Sequence, residues 1–299
     1  MLKYYLLTFF LFVLVFANGQ KNDMTWWNEQ HGWEEGMPSW RSWMKITPGY
    51  LGPNALPVPE MKRGKLEEKT EFELTASNHF HNGDPTQDIS GRAYIPFAGN
   101  KIAIEMYGVI FEHFAFSEEI RNERISRIED GKGNTRGDLY FSTLVQISRN
   151  RKFPNTLFRF ATKTASGGSL AGARYSDSPG YFMDLSFSKD LGQNETGLFR
   201  PIVMLGFYTW QTNDEFNLQN DAFLYALGID FEKRKSLFTA SWSGYSGYKD
   251  RRDKPMQLNF GWRRDLKKTA MRIQYHHGLR DWEYKTIRIS YIWKLNPVN

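Results

Sequence analysis

A short polar stretch near residue 80 holds the side chains best suited to chemistry. It reads Ser77-Asn78-His79-Phe80-His81-Asn82-Gly83-Asp84. If this stretch is an extended strand, alternation places Ser77, His79 and His81 on one face. Two imidazoles on one face could ligate a metal together with Asp84, or act as a base toward Ser77. We favour the simpler interpretation, a polar strand face that runs into a turn, because the sequence places no further ligand beside these residues.

Other chemical signatures are missing from the sequence. The chain has no cysteine, which excludes a thiol nucleophile, a disulfide framework, a cysteine metal site and a lipoprotein anchor. It also has no phosphate-binding loop, dinucleotide fingerprint, HExxH or GxSxG motif. The sequence therefore predicts no cofactor and no metal, and it weighs against an enzyme without deciding the question.

The first nineteen residues have the organisation of a secretory signal. Lys3 supplies a positive charge, Tyr4–Phe16 is an almost unbroken apolar run, and Ala17-Asn18-Gly19 places small residues before Gln20. The apolar run is shorter than the roughly 20 residues of a spanning helix. We therefore predict export and cleavage before Gln20.

Apolar and polar residues alternate in short segments from Glu71 to the C-terminus. Twelve such segments are predicted, each close to the roughly 9 to 11 residues of a tilted spanning strand, at 71–80, 90–98, 101–114, 138–149, 156–165, 180–189, 197–210, 221–232, 235–246, 256–264, 269–277 and 283–294. In the last one, Ile287, Ile289, Tyr291 and Trp293 lie on one predicted face. The pattern predicts an all-β fold, an antiparallel up-and-down transmembrane β-barrel of about 12 strands.

The lengths of the connections support this prediction. Short joins, such as Gly99-Asn100 and Lys233-Arg234, alternate with long ones, such as 117–137 and 166–179. Outer-membrane barrels have short turns at the periplasmic end and longer loops outside. A soluble sandwich predicts no such alternation.

Residues 20–68 differ from the rest of the chain. They contain five tryptophans and many Pro and Gly residues, without a sustained period. We predict an irregular Trp-rich segment, either periplasmic or plugging the lumen. The predicted organisation is a signal peptide at 1–19, this segment at 20–68 and a barrel at 69–299.

The composition fits a membrane barrel. Aromatic residues make up 16% of the chain, yet the mean hydropathy is -0.57, as expected where lipid-facing and lumen-facing residues alternate. The formal charge of +6 comes from scattered residues, so nucleic acid is not an expected partner. The expected partners are outer-membrane lipids and lipopolysaccharide, with envelope proteins as a further class.

Several charges are predicted to face the lumen. Alternation in the first strand turns Glu71 and Glu73 inward, and closure of the barrel brings the first strand next to the last. We therefore expect Arg288 close to Glu71 or Glu73, with Arg92 on the other side. Arg159 and Lys163 are predicted to face inward from the fifth strand. These charges could form a selectivity constriction, but cross-linking of a narrow lumen is the favoured interpretation.

Residues 69–294 resemble Gram-negative outer-membrane β-barrel proteins in general. The strand number is similar to that of outer-membrane phospholipase A, but none of the six histidines precedes a serine in that enzyme's His-x-Ser motif. The resemblance implies a non-enzymatic barrel in the bacterial outer membrane, acting as a narrow channel or as a structural component of an envelope assembly. Two alternatives stay open, a lipid- or lipopolysaccharide-modifying enzyme using His79 or His81 and a soluble secreted β-protein.

Overall fold

The computed structural model describes residues 23–149, 152–194 and 197–296, in two units, Met1–Pro38 and Ser39–Asn299. In the first unit, helix α1 spans Thr25–His31 and ends at Gly32, whose φ of 63° gives the left-handed conformation that glycine tolerates. None of the described helices is long and apolar enough to cross a membrane. The predicted signal peptide lies outside the described residues.

The second unit is a barrel. Its described strands are β1 Thr70–Phe80, β2 Thr86–Phe97, β3 Ile102–Ala115, β4 Lys132–Thr135, β5 Leu139–Ser148, β6 Asn155–Lys163, β7 Gly180–Ser188, β8 Leu191–Asn194, β9 Gly197–Gln211, β10 Gln219–Lys233, β11 Ser236–Gly247, β12 Met256–Asp265, β13 Thr269–Arg280 and β14 Lys285–Leu295. The short strands β4 and β8 pair only with β3 and β9, and the other twelve form the wall. Each wall strand pairs antiparallel with the next, and β1 pairs with β14 to close the barrel. The predicted all-β barrel of 12 strands is confirmed.

The two faces of each wall strand differ as the alternation predicts. On β14, Ile289 and Trp293 are exposed on the outer face, whereas Ser290 and Ile292 are buried inside. On β10, Phe223 and Leu227 are exposed in the same way. Such an apolar outer face suits contact with lipid, because the backbone groups are satisfied within the closed sheet.

The two ends of the barrel differ in their connections. We call the end that carries the joins β2–β3, β5–β6, β7–β9, β10–β11 and β12–β13 the turn end, and the opposite end the loop end. The longest connections, 116–138 and 164–179, lie at the loop end. The first of these contains helix α2, Glu118–Glu123, which is capped by the Ser117 hydroxyl. Three short 3-10 helices complete the described helical structure, at Trp40–Trp43, Pro48–Tyr50 and Leu170–Gly172.

Candidate functional site

The lumen of the barrel is occupied by the chain that precedes β1. We call residues 44–68 the lumen segment. Near the loop end, the Gly49 amide donates to the Arg252 carbonyl at 3.0 Å, and the Gly52 amide donates to the Ala173 carbonyl at 2.8 Å. A side chain at Gly52 would meet the Arg174 guanidinium at 2.7 Å. The close approach explains the glycine and fixes this part of the segment among the loops.

Apolar side chains hold the next part of the segment. Leu51 and Leu56 are buried in a cluster with Trp210 and Tyr245 of the wall. The Tyr245 hydroxyl donates to the Leu56 carbonyl at 2.7 Å, and the Trp210 indole N–H donates to the Ile46 carbonyl at 2.9 Å. These bonds satisfy backbone carbonyls that the irregular segment cannot pair within itself.

Charged side chains hold the part nearest the turn end. The Lys62 ammonium lies 2.8 Å from a carboxylate oxygen of Glu105, and Arg63 lies 3.4 Å from that of Asp230. Farther along, the Gln146 side chain accepts from the Leu66 amide at 2.9 Å and donates to the Gly64 carbonyl at 2.8 Å. The segment therefore runs from the loop end to the turn end, where β1 begins.

An ionic network lies at the loop end. The Arg174 guanidinium is fully buried, 2.9 Å from both Asp84 and Glu112. Arg124 contributes a second cation 2.6 Å from Asp84, and the Tyr284 hydroxyl also donates to that carboxylate. Burial on its own raises the pKa of Asp84, but Arg174 and Arg124 outweigh it and hold this pKa below the usual carboxyl value. Asp84 is thus a structural anion whose oxygens are already occupied.

The two histidines of the first strand are used differently. His79 is buried, with Nδ1 2.8 Å from the Thr286 hydroxyl and Nε2 2.6 Å from Asp88. The sequence analysis placed no ligand other than Asp84 beside these imidazoles, and for His79 this was wrong. The second strand begins at Thr86 and not near residue 90, so its register places Thr86 opposite His79 and brings Asp88 within reach.

The remaining members of the polar stretch do not join His79. The Ser77 hydroxyl is buried and has no hydrogen-bond partner among the described residues. The His81 ring packs against the Tyr284 ring at a centroid distance of 4.7 Å. Across the described ranges, no group of three or more histidine and acidic side chains could hold a metal ion. The geometry brings together neither a metal site nor a serine-histidine pair.

The predicted lumen charges form ion pairs, but not all in the predicted combinations. Glu71 lies 2.6 Å from Arg263, and Glu73 lies 2.5 Å from Arg272. Arg92 lies 3.5 Å from Glu71, 3.6 Å from Glu73 and 2.6 Å from Glu105. The expected approach of Arg288 to Glu71 or Glu73 was wrong, because the β1–β14 register places Arg288 opposite Ser77 and not opposite either glutamate.

Two buried ion pairs lie inside the barrel, on the opposite side of the lumen. Arg159 is 2.6 Å from Asp184, and Lys163 is 2.7 Å from Asp138. Both cations are almost fully buried. Ion pairs this deep cross-link neighbouring strands and leave neither charge free for a passing solute.

A cavity of about 230 Å³ remains between the lumen segment and the wall. Arg288 and His276 line it, and His276 Nδ1 is bonded to the Asn259 amide oxygen at 2.6 Å. Within the described part of the chain, the Arg288 Nε and His276 Nε2 atoms have no hydrogen-bond partner. Sequence reasoning placed Arg288 inside the barrel but gave no signal for His276, because two adjacent histidines indicate neither face.

Comparison with known proteins concerns the fold. No protein-family model matches the chain, and no curated protein matches it. Among solved structures, an outer-membrane channel from Pseudomonas putida F1 aligns with a TM-score of 0.55 at 12% identity, covering 81% of this chain and 97% of that one. The chain has the fold of an outer-membrane β-barrel.

Two further structures are more distant. The beta domain of the Bordetella autotransporter BrkA has a TM-score of 0.43 at 10% identity, covering 76% of this chain and 99% of that one. The CymD monoaromatic hydrocarbon channel has a TM-score of 0.40 at 7% identity, covering 77% and 90%. In the barrel described here, residues 44–68 fill the lumen.

Proposed function

We propose that this protein is a narrow outer-membrane channel that its own lumen segment holds closed. The observation that carries the proposal is the position of residues 44–68 inside a closed 12-stranded wall. Side chains alone fill a barrel of about eight strands, whereas barrels of roughly 16 to 18 strands leave an aqueous channel. Twelve strands lie between these cases, so the lumen needs an additional filler to be closed.

The charges of the segment complement those of the wall. Lys62, Arg63 and Lys65 form ion pairs with Glu105, Asp230 and Asp190, respectively. Wall arginines share these carboxylates, because Glu105 is also paired with Arg92, and Asp190 and Asp230 are also paired with Arg200. Removing the segment's cations therefore lowers the positive charge of the lumen but leaves each of these carboxylates with an arginine partner.

Conductance in planar bilayers tests the proposal. We would replace residues 39–63 by a Gly/Ser chain of equal length, which removes the apolar and charged contacts but keeps the connection to β1. A matched control replaces loop 212–218, which lies outside the lumen and includes the 93% exposed Phe216. Heat-modifiable migration on gels verifies that each variant has folded.

The full chain and the loop control are expected to conduct rarely, and the segment replacement is expected to conduct steadily. A folded replacement variant that conducts no more than the full chain would show that the barrel is not a channel. That result would favour the alternative, a structural component of an envelope assembly.

A further inference from the structure

The lumen segment enters the barrel from the loop end. Strand β1 begins at the turn end, so a chain coming from that side could enter β1 directly. The structure shows a different path, since Gly49 and Gly52 bond to loop-end carbonyls while Leu66 bonds to Gln146 near the turn end. The chain crosses the whole lumen before it starts the wall.

The residues just before the lumen segment also lie at the loop end. Arg41 forms an ion pair with Asp177 in the connection 164–179. The Trp40 ring lies 4.6 Å from the Arg127 guanidinium, which belongs to the connection 116–138. Both contacts are made with the longest loops of the barrel, so the chain from Ser39 onward is docked there.

In outer-membrane barrels, the short turns face the periplasm and the longer loops face the cell exterior. We propose that the barrel exports the part of its own chain that directly precedes the lumen segment, so that Ser39–Trp43 lies at the cell surface and the lumen segment is the part of the chain left in the conduit. This inference rests on the outer-membrane placement of the proposed function, but it does not depend on conductance.

The lumen segment has the properties that such a passage requires. From Leu51 to Lys69 the chain forms neither helix nor strand, so a single irregular chain crosses the lumen. The absence of cysteine from the sequence means that no disulfide can block the passage. Three wall or loop side chains, those of Trp210, Tyr245 and Trp282, each donate a hydrogen bond to a backbone carbonyl of the threaded chain. Contacts to the backbone do not depend on which residue passes, so they suit a conduit for chain.

Because the chain has no cysteine, an introduced cysteine is the one thiol of the protein that can be labelled. Single cysteines would be introduced as Ser42→Cys in the chain before the lumen segment, Phe216→Cys in a loop and Lys267→Cys at a turn, all at exposed positions. Whole cells would be treated with a maleimide on a polyethylene glycol too large to cross the outer membrane. A second sample would be permeabilised before labelling.

Ser42→Cys and Phe216→Cys are expected to label equally in intact and permeabilised cells, and Lys267→Cys only after permeabilisation. Labelling of Ser42→Cys only after permeabilisation, with Phe216→Cys accessible from outside, would overturn the proposal. So would accessibility of Lys267→Cys in intact cells, because the turn end would then face outward. If the barrel is not a channel, the segment replacement will not conduct, but the labelling patterns expected here will stay the same.

Discussion

At the loop end of the barrel the lumen segment lies among aromatic rings, whereas at the turn end it lies among charges. Leu51 and Leu56 are buried almost completely against Trp210 and Tyr245. By contrast, the Lys62, Arg63 and Lys65 side chains keep 14%, 25% and 21% of their surface exposed, although each is paired with a carboxylate. One continuous segment is therefore held by two kinds of interaction.

The difference indicates which contacts keep the lumen closed. Burial of apolar side chains is worth about 1.5 to 3 kcal/mol per leucine and is not screened by salt. Partly exposed ion pairs contribute about 0 to 1 kcal/mol each and weaken as salt is added. The part of the lumen segment at the turn end is also joined covalently to β1, so this part cannot leave the lumen. Opening therefore requires release of the loop-end contacts, and the turn-end ion pairs adjust the segment in place.

The largest expected effect is at Arg174, which joins the loop-end network. Arg174→Ala leaves Asp84 and Glu112 buried without their shared cation. Breaking a buried ion pair costs about 3 to 5 kcal/mol, and we expect that loss in the free energy of unfolding. Denaturant unfolding from lipid vesicles measures it. Arg136→Ala, an exposed position of the same end, is the control. A cost equal to that of the control would show that the network does not hold the loop end.

A smaller effect is expected at Leu56. Leu56→Ala removes buried apolar contacts with the wall and should cost about 2 to 4 kcal/mol, within the usual range for such a truncation. Because the lost contacts join segment to wall, the frequency of channel openings in planar bilayers should rise. The control Leu205→Ala truncates a lipid-facing side chain of β9 and should leave the opening frequency unchanged. Equal opening frequencies in both variants would remove the argument for a loop-end anchor.

The strands of the wall could be predicted well because their two faces meet different environments. Lipid outside and a packed lumen inside impose opposite requirements on successive residues, and the resulting alternation is visible in any single strand. The β14 residues Ile287 to Trp293 show it most clearly. The second strand was predicted to begin too late, at 90 instead of Thr86, because Gln87 and Asp88 resemble a polar turn.

The interior of the barrel could not be predicted to the same depth. Glu71 on β1 is paired with Arg263 on β12, two strands beyond its neighbour β14, so the contact depends on barrel curvature and on the length of the arginine side chain. Neither is encoded in a local pattern. The path of the lumen segment was equally hidden, because its backbone is held by wall side chains such as Tyr245 and not by a period of its own.

The third prediction concerns the turn end. Lys62→Met removes one of the cations beside Glu105, but Arg92 remains 2.6 Å from that carboxylate. We therefore expect a cost of about 0 to 1 kcal/mol in the free energy of unfolding, smaller than at Leu56. A cycle with Glu105→Gln isolates the pair, and its coupling energy should fall as salt is added. A coupling that salt leaves unchanged would mean that this end is held as firmly as the loop end.

The smallest expected effect is a difference between the loop end and the turn end in how their stability depends on pH. The turn end has no barrel histidine. All five, at 79, 81, 113, 276 and 277, lie in the loop-end halves of their strands or in the adjoining loop. Burial and the nearby Arg124 lower the pKa of His81 below its ordinary value of about 6.5. A histidine whose folded-state pKa is lowered contributes stability above the unfolded value, and this stability is lost as pH falls through the folded-state value. Mild acidification below about pH 6.5 should thus destabilise the loop end slightly, while Asp84 keeps its charge because its own pKa is lowered.

His81→Asn should remove this part of the pH dependence of unfolding, since asparagine does not titrate. His113→Asn replaces an exposed histidine of the same end and serves as the matched control. Unfolding measured at several pH values between neutral and mildly acidic compares the two variants with the unmodified protein. If His81→Asn retains the full dependence, the titrating group lies elsewhere. His81, whose ring packs against Tyr284, would then not be the cause of the acid sensitivity of the loop end.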